Sequence, residues 1–324
     1  MMRAIVQDTY GEADVLHPAD IPMPVPADDE VLLKVHAAGI EMSVWHLMTG
    51  RPYLVRMVMG LRAPKNPVRG ADVAGTVIAV GSKVTTLAVG AEVFGTSNGS
   101  LAEYATAKAA TLALAPASLT AIEAASLPVA GCAALHAVQK AEIAAGYRVL
   151  VIGAGGSVGQ FVVQLAKARG AHVTGVGSTR SVEFIRSLGA DEVIDYTVDR
   201  FEDAGARYDV IIDIGGNRKL SSLRRVLTPK GTVVIVGAET EGRFAGGTGR
   251  IILAPLLSMF VGQRLIPLVS SEPTASLDAL RELVDANALR PRIGRVWPLA
   301  QGAEAVAELR ARRVNGRIVV SLED

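Results

Sequence analysis

The 324-residue sequence predicts an α/β fold: a doubly wound parallel sheet joined to a second, β-rich unit. Two observations predict the sheet. From Arg148 onward, short Val/Ile runs alternate with helical patterns, and runs such as RVLVI are apolar throughout, as strands covered on both faces must be. The third observation concerns Arg3 to Thr106, where short β-prone runs are punctuated by Gly and Pro.

In chain order, the β-rich part offers runs at Val31–Val35, Val73–Val80 and Ala91–Phe94, and Pro22, Pro24 and Pro26 read as a rigid extended connector. Leu119 to Gly146 reads as two helical segments broken near Pro128. The expected sheet strands are Arg148–Ile152, His172–Val176, Glu192–Asp195, Tyr208–Asp213, Gly231–Gly237 and Arg264–Val269, with helices at Val158–Arg169 and Ser181–Leu188 among them. The final stretch returns to strands at Pro291–Trp297 and Arg317–Ser321 around a helix at Ala303–Arg312, so the tail is expected to rejoin the first unit.

Composition narrows the function classes. The length suits about two domains at roughly 150 residues each. A single cysteine, Cys132, excludes an intrachain disulfide and a thiol-rich zinc lobe. Thirty-three basic residues against thirty-two acidic ones give a net charge of +1, which supplies no global field for nucleic acid or an anionic membrane. Mean hydropathy is +0.33. Yet the most apolar run, Ile251 to Gly262, is broken by Pro255 and falls short of the roughly 18 residues a span requires. It is expected to be buried. The opening MMRAIVQDTYGE reads as a first strand rather than a signal peptide, and a reducing, cytoplasmic setting is the default expectation.

The chemistry-bearing motif is RVLVIGAGGSVGQFVVQLAKARGAHVTGV, in which a strand runs into Gly153, Gly155, Gly156, Ser157, Val158 and Gly159, then a helix, then a second strand. Glycine there permits a tight turn, close approach of a pyrophosphate and close packing of helix on strand, while N–H groups at the helix start attract the anion. A dinucleotide site is expected. At the end of the second strand, where a carboxylate would hold the ribose hydroxyls of NAD(H), the sequence reads Gly177 followed by Ser178, Thr179 and Arg180. Two hydroxyls and a guanidinium suit a 2′-phosphate, so NADP(H) is expected.

With these residues in view, the chain resembles the medium-chain dehydrogenase/reductase superfamily in its zinc-independent quinone oxidoreductase (zeta-crystallin-like) branch. The resemblance runs through VHAAGI, GADVAGTVIAVGSKVTTLAVGAEVFG, GSLAEYA, AASLPVAGCAAL, GAGGSVGQFVVQLAKARGA, LGADEVIDY and NGRIVVSL. It implies a GroES-like catalytic domain over residues 1–122 and 288–324, a Rossmann domain over 123–287, an active site in the cleft between them, and a homodimer joined through the sheet edge at Arg264 to Val269. It also implies that Tyr196 stands with Ser178 and Arg180 at the 2′-phosphate. Gly216, Asn217, Gly237, Ala238, Asn315 and Arg317 would line the nicotinamide end. The basic run Arg310, Arg312, Arg313, Arg317 then reads as a solvated helix face plus one phosphate contact rather than a nucleic-acid patch.

The same resemblance exposes departures. Zinc-dependent relatives carry a cysteine ligand where this chain has Glu41, and GADVAG replaces their histidine-containing segment. Glu41, His46 and Asp72 make a poor substitute set, so no metal is expected. Glu41 and Val44 replace an Asn and an Asp of many relatives, and Ala133 replaces a Thr. Without a Lewis acid the expected acceptor is already electrophilic: a small, apolar quinone or α,β-unsaturated carbonyl, reduced by hydride. Tyr53, in GRPYLVR, is the candidate for orienting the acceptor oxygen. Glu41 is read either as a general acid or as an exposed carboxylate narrowing the substrate range, and Cys132 as a small buried hydrophobe. Alternatives are reduction of an enoyl thioester or alkenal, and a catalytically weak NADPH-binding sensor or structural protein.

Overall fold

The computed structural model describes residues 1–53, 56–203, 205–216, 218–237 and 248–323. The chain forms two compact units, one of Met1–Cys132 with Ser271–Asp324, the other of Ala133–Ser270. The sequence reading put these divisions at 122/123 and 287/288. The difference arises because the helix beginning at Pro128 crosses the first division, and because the helix at Thr274–Asp285 packs on strands of the first unit.

The N-terminal part of the first unit contains β1 (Met2–Val6), β2 (His17–Ile21), β3 (Glu30–Ile40), helix α1 (Met42–Thr49), the single turn α2 (Arg56–Met59), β4 (Asp72–Val80), β5 (Glu92–Thr96), β6 (Tyr104–Lys108) and β7 (Leu112–Leu114). Two helices follow, α3 (Ala121–Ala124) and α4 (Pro128–Lys140). The proline at 128 separates them as expected, since proline at a helix start loses no hydrogen bond. Thr120 and Glu123 close a reciprocal capping box on α3.

The second unit holds β8 (Arg148–Ile152), α5 (Gly159–Ala168), β9 (His172–Gly177), α6 (Val182–Ser187), β10 (Glu192–Asp195), β11 (Tyr208–Asp213), α7 (Leu220–Arg225), β12 (Leu227–Ile235), α8 (Thr248–Ser258) and β13 (Arg264–Pro267). Its six strands are all parallel in the order β10-β9-β8-β11-β12-β13. This is the doubly wound sheet the alternation predicts. The chain then returns through α9 (Thr274–Asp285), β14 (Ile293–Pro298), α10 (Gly302–Ala311) and β15 (Arg317–Ser321) to the first unit. There β15 pairs with β3 and completes a seven-stranded sheet, beside the separate β1-β2 hairpin.

Each unit buries its own core. In the first, Ile5, Ile40, Met48, Leu101, Ile318 and Val320 form one cluster, while Val31, Leu33, Val73 and Val93 form a second. In the second unit, Leu150, Ile211, Val233 and Leu265 of the sheet pack with Leu223 of α7 and Ala254 of α8.

One expectation fails here. The apolar run at Ile251 to Gly262 is not buried: only Ala254 is fully covered, while Ile252, Leu253, Leu256, Met259 and Phe260 are exposed. The reason is helical periodicity, which turns Ala254 and Leu257 onto the sheet and the other apolar positions outward.

Candidate functional site

The strand order reverses between β8 and β11, so the crevice at their carboxyl ends is the expected ligand position of such a sheet. The glycine-rich turn lies there. Gly153 has φ +86°, a conformation side chains disfavour. Its amide and that of Ala154 both donate to the Val176 carbonyl at 3.1 Å, which ties the turn to β9. A Cβ at Gly159 would stand 2.1 Å from the Gly153 carbonyl oxygen, so α5 begins in direct contact with the turn.

Two neighbouring strand ends close in on the same place. A Cβ on Gly237 would lie 2.0 Å from the Ile214 carbonyl oxygen, and a Cβ on Gly153 would touch Ile214 and Gly215 at 3.5 Å. Gly216, with φ +69°, donates its amide to Asp213 Oδ1 at 3.2 Å. Thus residues 153 to 159, Gly216 and Gly237 share one edge of the sheet. Asn217 and Ala238 lie outside the described residues. The sequence reading missed what shapes the Gly216 turn: Asp213 is wholly buried and its Oδ2 accepts from Arg250 Nη2 at 2.5 Å.

The residues expected at the adenosine end lie together at the tips of β9 and β10. Ser178, Thr179 and Arg180 follow β9, with Thr179–Ser181 forming a 3-10 turn and Ser178 Oγ lying 3.2 Å from Ser181 Oγ. Thr179 and Arg180 are exposed. The Tyr196 amide donates to the Gly177 carbonyl at 2.9 Å, which sets Tyr196 beside that loop with its ring about half exposed rather than in the core.

A correction follows from the same strand ends. The sequence reading found no carboxylate at the tip of β9, but Asp195 brings one in from β10. Its Oδ1 accepts from the Thr197 amide at 2.9 Å and hydroxyl at 2.7 Å, and Thr197 Oγ1 is 2.7 Å from Thr179 Oγ1. Hydrogen bonding from Thr179 is the largest influence on the Asp195 carboxyl and helps hold it below its usual range.

In the first unit, Glu41 caps the N-terminus of α1, accepting from the Ser43 amide at 2.9 Å and from the Ser43 hydroxyl. It is 5% exposed, so it is not the solvated carboxylate of the second sequence reading. Tyr53 is half-buried and stacks on Arg56, whose guanidinium lies 4.8 Å from its ring and 4.4 Å from the Tyr10 ring. Arg56 also donates to the Thr49 and Gly50 carbonyls at the end of α1, so it fixes the segment that carries Tyr53.

Arg317 calls for a second correction. It was expected on a basic run touching the coenzyme, but its side chain is wholly buried and its Nη2 donates to Asp72 Oδ2 at 2.5 Å. As the first residue of β15 it turns inward over β3, whereas Asn315, two residues earlier, remains half-buried. Its Nε and Nη1 find no partner among the described residues. Asp72 Oδ1 accepts from the Val129 amide at 2.9 Å, and burial, opposed by Arg317, pushes its carboxyl up. Burial also raises Glu272, reinforced by the charge of Glu41. Cys132 is fully buried, and burial followed by the charges of Glu272 and Asp72 pushes its thiol far up, making it an inert core residue.

These residues do not fit zinc. Glu41 is engaged by Ser43 and Asp72 by Arg317 and Val129. The His46 Nδ1–H donates to the Arg51 carbonyl at 3.0 Å, and among the described residues no three His, Cys, Asp or Glu side chains converge as a metal group. They do fit a dinucleotide, because the turn at Gly153 is tight, its backbone is open to close approach at Gly156, and it feeds directly into α5.

A doubly wound unit with this turn at its switch point, attached to a β unit completed by the chain's own end, defines a nucleotide-dependent oxidoreductase. The chain matches the alcohol dehydrogenase GroES-like domain over residues 27–117 and the zinc-binding dehydrogenase domain over residues 188–320. It is 30% identical to the chloroplast envelope quinone oxidoreductase homolog of Arabidopsis thaliana, over 99% of this chain and 98% of that protein. It is 32% identical to the NADPH-dependent alkenal/one oxidoreductase of the same plant, over 98% of this chain and 79% of that protein. Among solved structures, the quinone oxidoreductase from Coxiella burnetii superimposes with a TM-score of 0.88 at 30% identity, covering 99% of both chains. The chain belongs to the quinone oxidoreductase branch of the medium-chain dehydrogenase/reductase superfamily.

Proposed function

We propose that this protein is an NADPH-dependent, zinc-independent reductase of quinones or α,β-unsaturated carbonyls. The observation that carries the reading is the state of the carboxylates where zinc-dependent relatives place ligands. Glu41 is spent on Ser43, and Asp72 is spent on Arg317 and Val129. With no donor set for a Lewis acid among the described residues, the acceptor must itself spread the charge it receives, as a conjugated carbonyl does. The names of the relatives point the same way.

The turn at Gly153, Gly155, Gly156, Ser157, Val158 and Gly159 holds the pyrophosphate on the start of α5, and Ser178 and Arg180 with Tyr196 receive the 2′-phosphate. Gly216, Gly237 and Asn315 are assigned to the nicotinamide end. NADPH, when bound, supplies hydride to the conjugated carbon of the acceptor. Tyr53, fixed by Arg56, orients the acceptor oxygen, which takes up the negative charge. A proton from water then completes the reduction. No described helix is long and apolar enough to cross a membrane, and the working location is proposed as the cytoplasm. The protein is proposed to work as a homodimer through β13, an edge strand beside the exposed Ile252, Leu253 and Leu256 of α8.

The test is NADPH consumption across a panel of quinones, enones, alkenals, enoyl thioesters and simple aldehydes, with and without a chelator. Chelator-insensitive turnover on conjugated acceptors alone is expected. Turnover that a chelator abolishes, or tight NADPH binding without turnover on any of them, would overturn the reading.

A further inference from the structure

The tip of β10 supplies the acidic side chain that the tip of β9 withholds. Asp195 gathers hydrogen bonds from the Thr197 amide at 2.9 Å, from the Thr197 hydroxyl at 2.7 Å, and from Thr179, whose hydroxyl also lies 2.7 Å from that of Thr197. A hydroxyl has one proton to give. With both threonine protons drawn toward the carboxylate, Thr179 faces Asp195 rather than a phosphate, although it sits between Ser178 and Arg180. The carboxyl itself lies at the surface, where its charge is screened but not removed.

Two coenzymes experience this group differently. A 2′-phosphate docked between Ser178 and Arg180 meets the like charge of Asp195, which pairs across the strands with Gly177, the residue before Ser178. An unphosphorylated ribose meets an acceptor of the kind that NAD-binding sites place at the end of their second strand. We infer that Asp195 is a specificity-determining residue: it weakens the protein's preference for NADPH over NADH, and the threonine pair limits that effect by donating to it. The inference rests on the proposed 2′-phosphate site and names a further residue within it.

The experiment is fluorescence titration of NADPH and NADH into the intact protein at low and at physiological salt. Asp195→Asn keeps an oxygen for the Thr197 amide and removes the charge. It is expected to raise the ratio of NADH to NADPH dissociation constants by about three-fold or more at low salt, and by less at higher salt. Thr197→Val leaves the charge and removes a donor, so it should lower that ratio. A purely structural role would weaken both coenzymes together and leave the ratio alone. Arg180→Ala reports on the underlying site, and it should weaken NADPH only. If Arg180→Ala does so while Asp195→Asn leaves the ratio unchanged or lowers it, the inference is overturned and the phosphate site stands. If Arg180→Ala does not affect NADPH, the site and the inference fall together.

Discussion

Arg317 Nη2 lies 2.5 Å from Asp72 Oδ2 with both side chains wholly shielded from solvent, and the pair spans β3 at Gly39. A Cβ on Gly39 would stand 2.8 Å from Arg317 Nη2 and 2.8 Å from Asp72 Cβ, so the bridge depends on glycine beneath it. Because Asp72 also accepts the Val129 amide, one carboxylate joins β15, β4 and the start of α4.

Removing one partner of such a pair leaves an uncompensated buried charge. Arg317→Met is therefore expected to cost about 3–5 kcal/mol, and Arg317→Met with Asp72→Asn to recover part of that loss. The cost should grow with pH. A carboxyl whose folded pKa is raised stabilises in its protonated form below its unfolded range, and that contribution is lost as pH climbs through the raised value. Denaturant midpoints of the single and double variants at several pH values check this. A single variant within about 1 kcal/mol of wild type at every pH would contradict it.

His46 gives a second pH signature. Burial lowers its pKa, against the opposing influences of the Arg51 carbonyl and Glu41 and with a smaller push from Arg310 in the same direction as burial. The folded protein thus holds the imidazole neutral, with Nδ1–H donating to Arg51. For a group whose folded pKa is depressed, the contribution is complete above the unfolded value of about 6.5 and is lost as pH falls through the folded value. His46→Asn keeps an amide donor near Nδ1 and cannot titrate. Its stability should match wild type near pH 8 and decline less between pH 6.5 and 5, as measured by urea midpoints across that range.

The parts of this fold that could be read from sequence are those whose signal is local. The strands of the second unit are covered on both faces, so Val149–Ile152 and Val210–Ile212 read as unbroken apolar runs. The start of β12 was missed because Thr228, Pro229 and Lys230 look like a turn, although the strand begins at Leu227 opposite Tyr208 and shifts register before Val210. The glycine motif was equally legible, since its residues are contiguous. The three acidic side chains that shape the sites were not. Asp72 meets Arg317, Asp213 meets Arg250 and Asp195 meets Thr179 only when distant strand ends come together, and no spacing in the sequence announces such pairs. The exposed face of α8 was misread for a related reason, because an apolar run does not reveal which side of the helix finds the sheet.

The glycine turn yields the last prediction, through two positions that differ in what surrounds them. At Gly159 a methyl group would lie 2.1 Å from the Gly153 carbonyl oxygen and 2.7 Å from Ala154 Cα. Neither atom can step aside, because the amides of Gly153 and Ala154 are both held by the Val176 carbonyl. At Gly156 the nearest such atom is the Gly153 oxygen at 3.4 Å, which a methyl group tolerates. Gly159→Ala must then push α5 off the turn. It should lower stability by about 1–3 kcal/mol, as overpacking does, and weaken NADPH by about ten-fold or more, since the proposed pyrophosphate site depends on that contact. Gly156→Ala should keep wild-type stability and lose coenzyme affinity alone, because the methyl group would occupy the space assigned to the pyrophosphate in the proposed site. Thermal midpoints with and without NADPH separate the two outcomes: Gly159→Ala falls in both conditions, while Gly156→Ala falls only in the shift that NADPH produces. Equal stability and equal NADPH shifts for both variants and wild type would remove the turn from the coenzyme site.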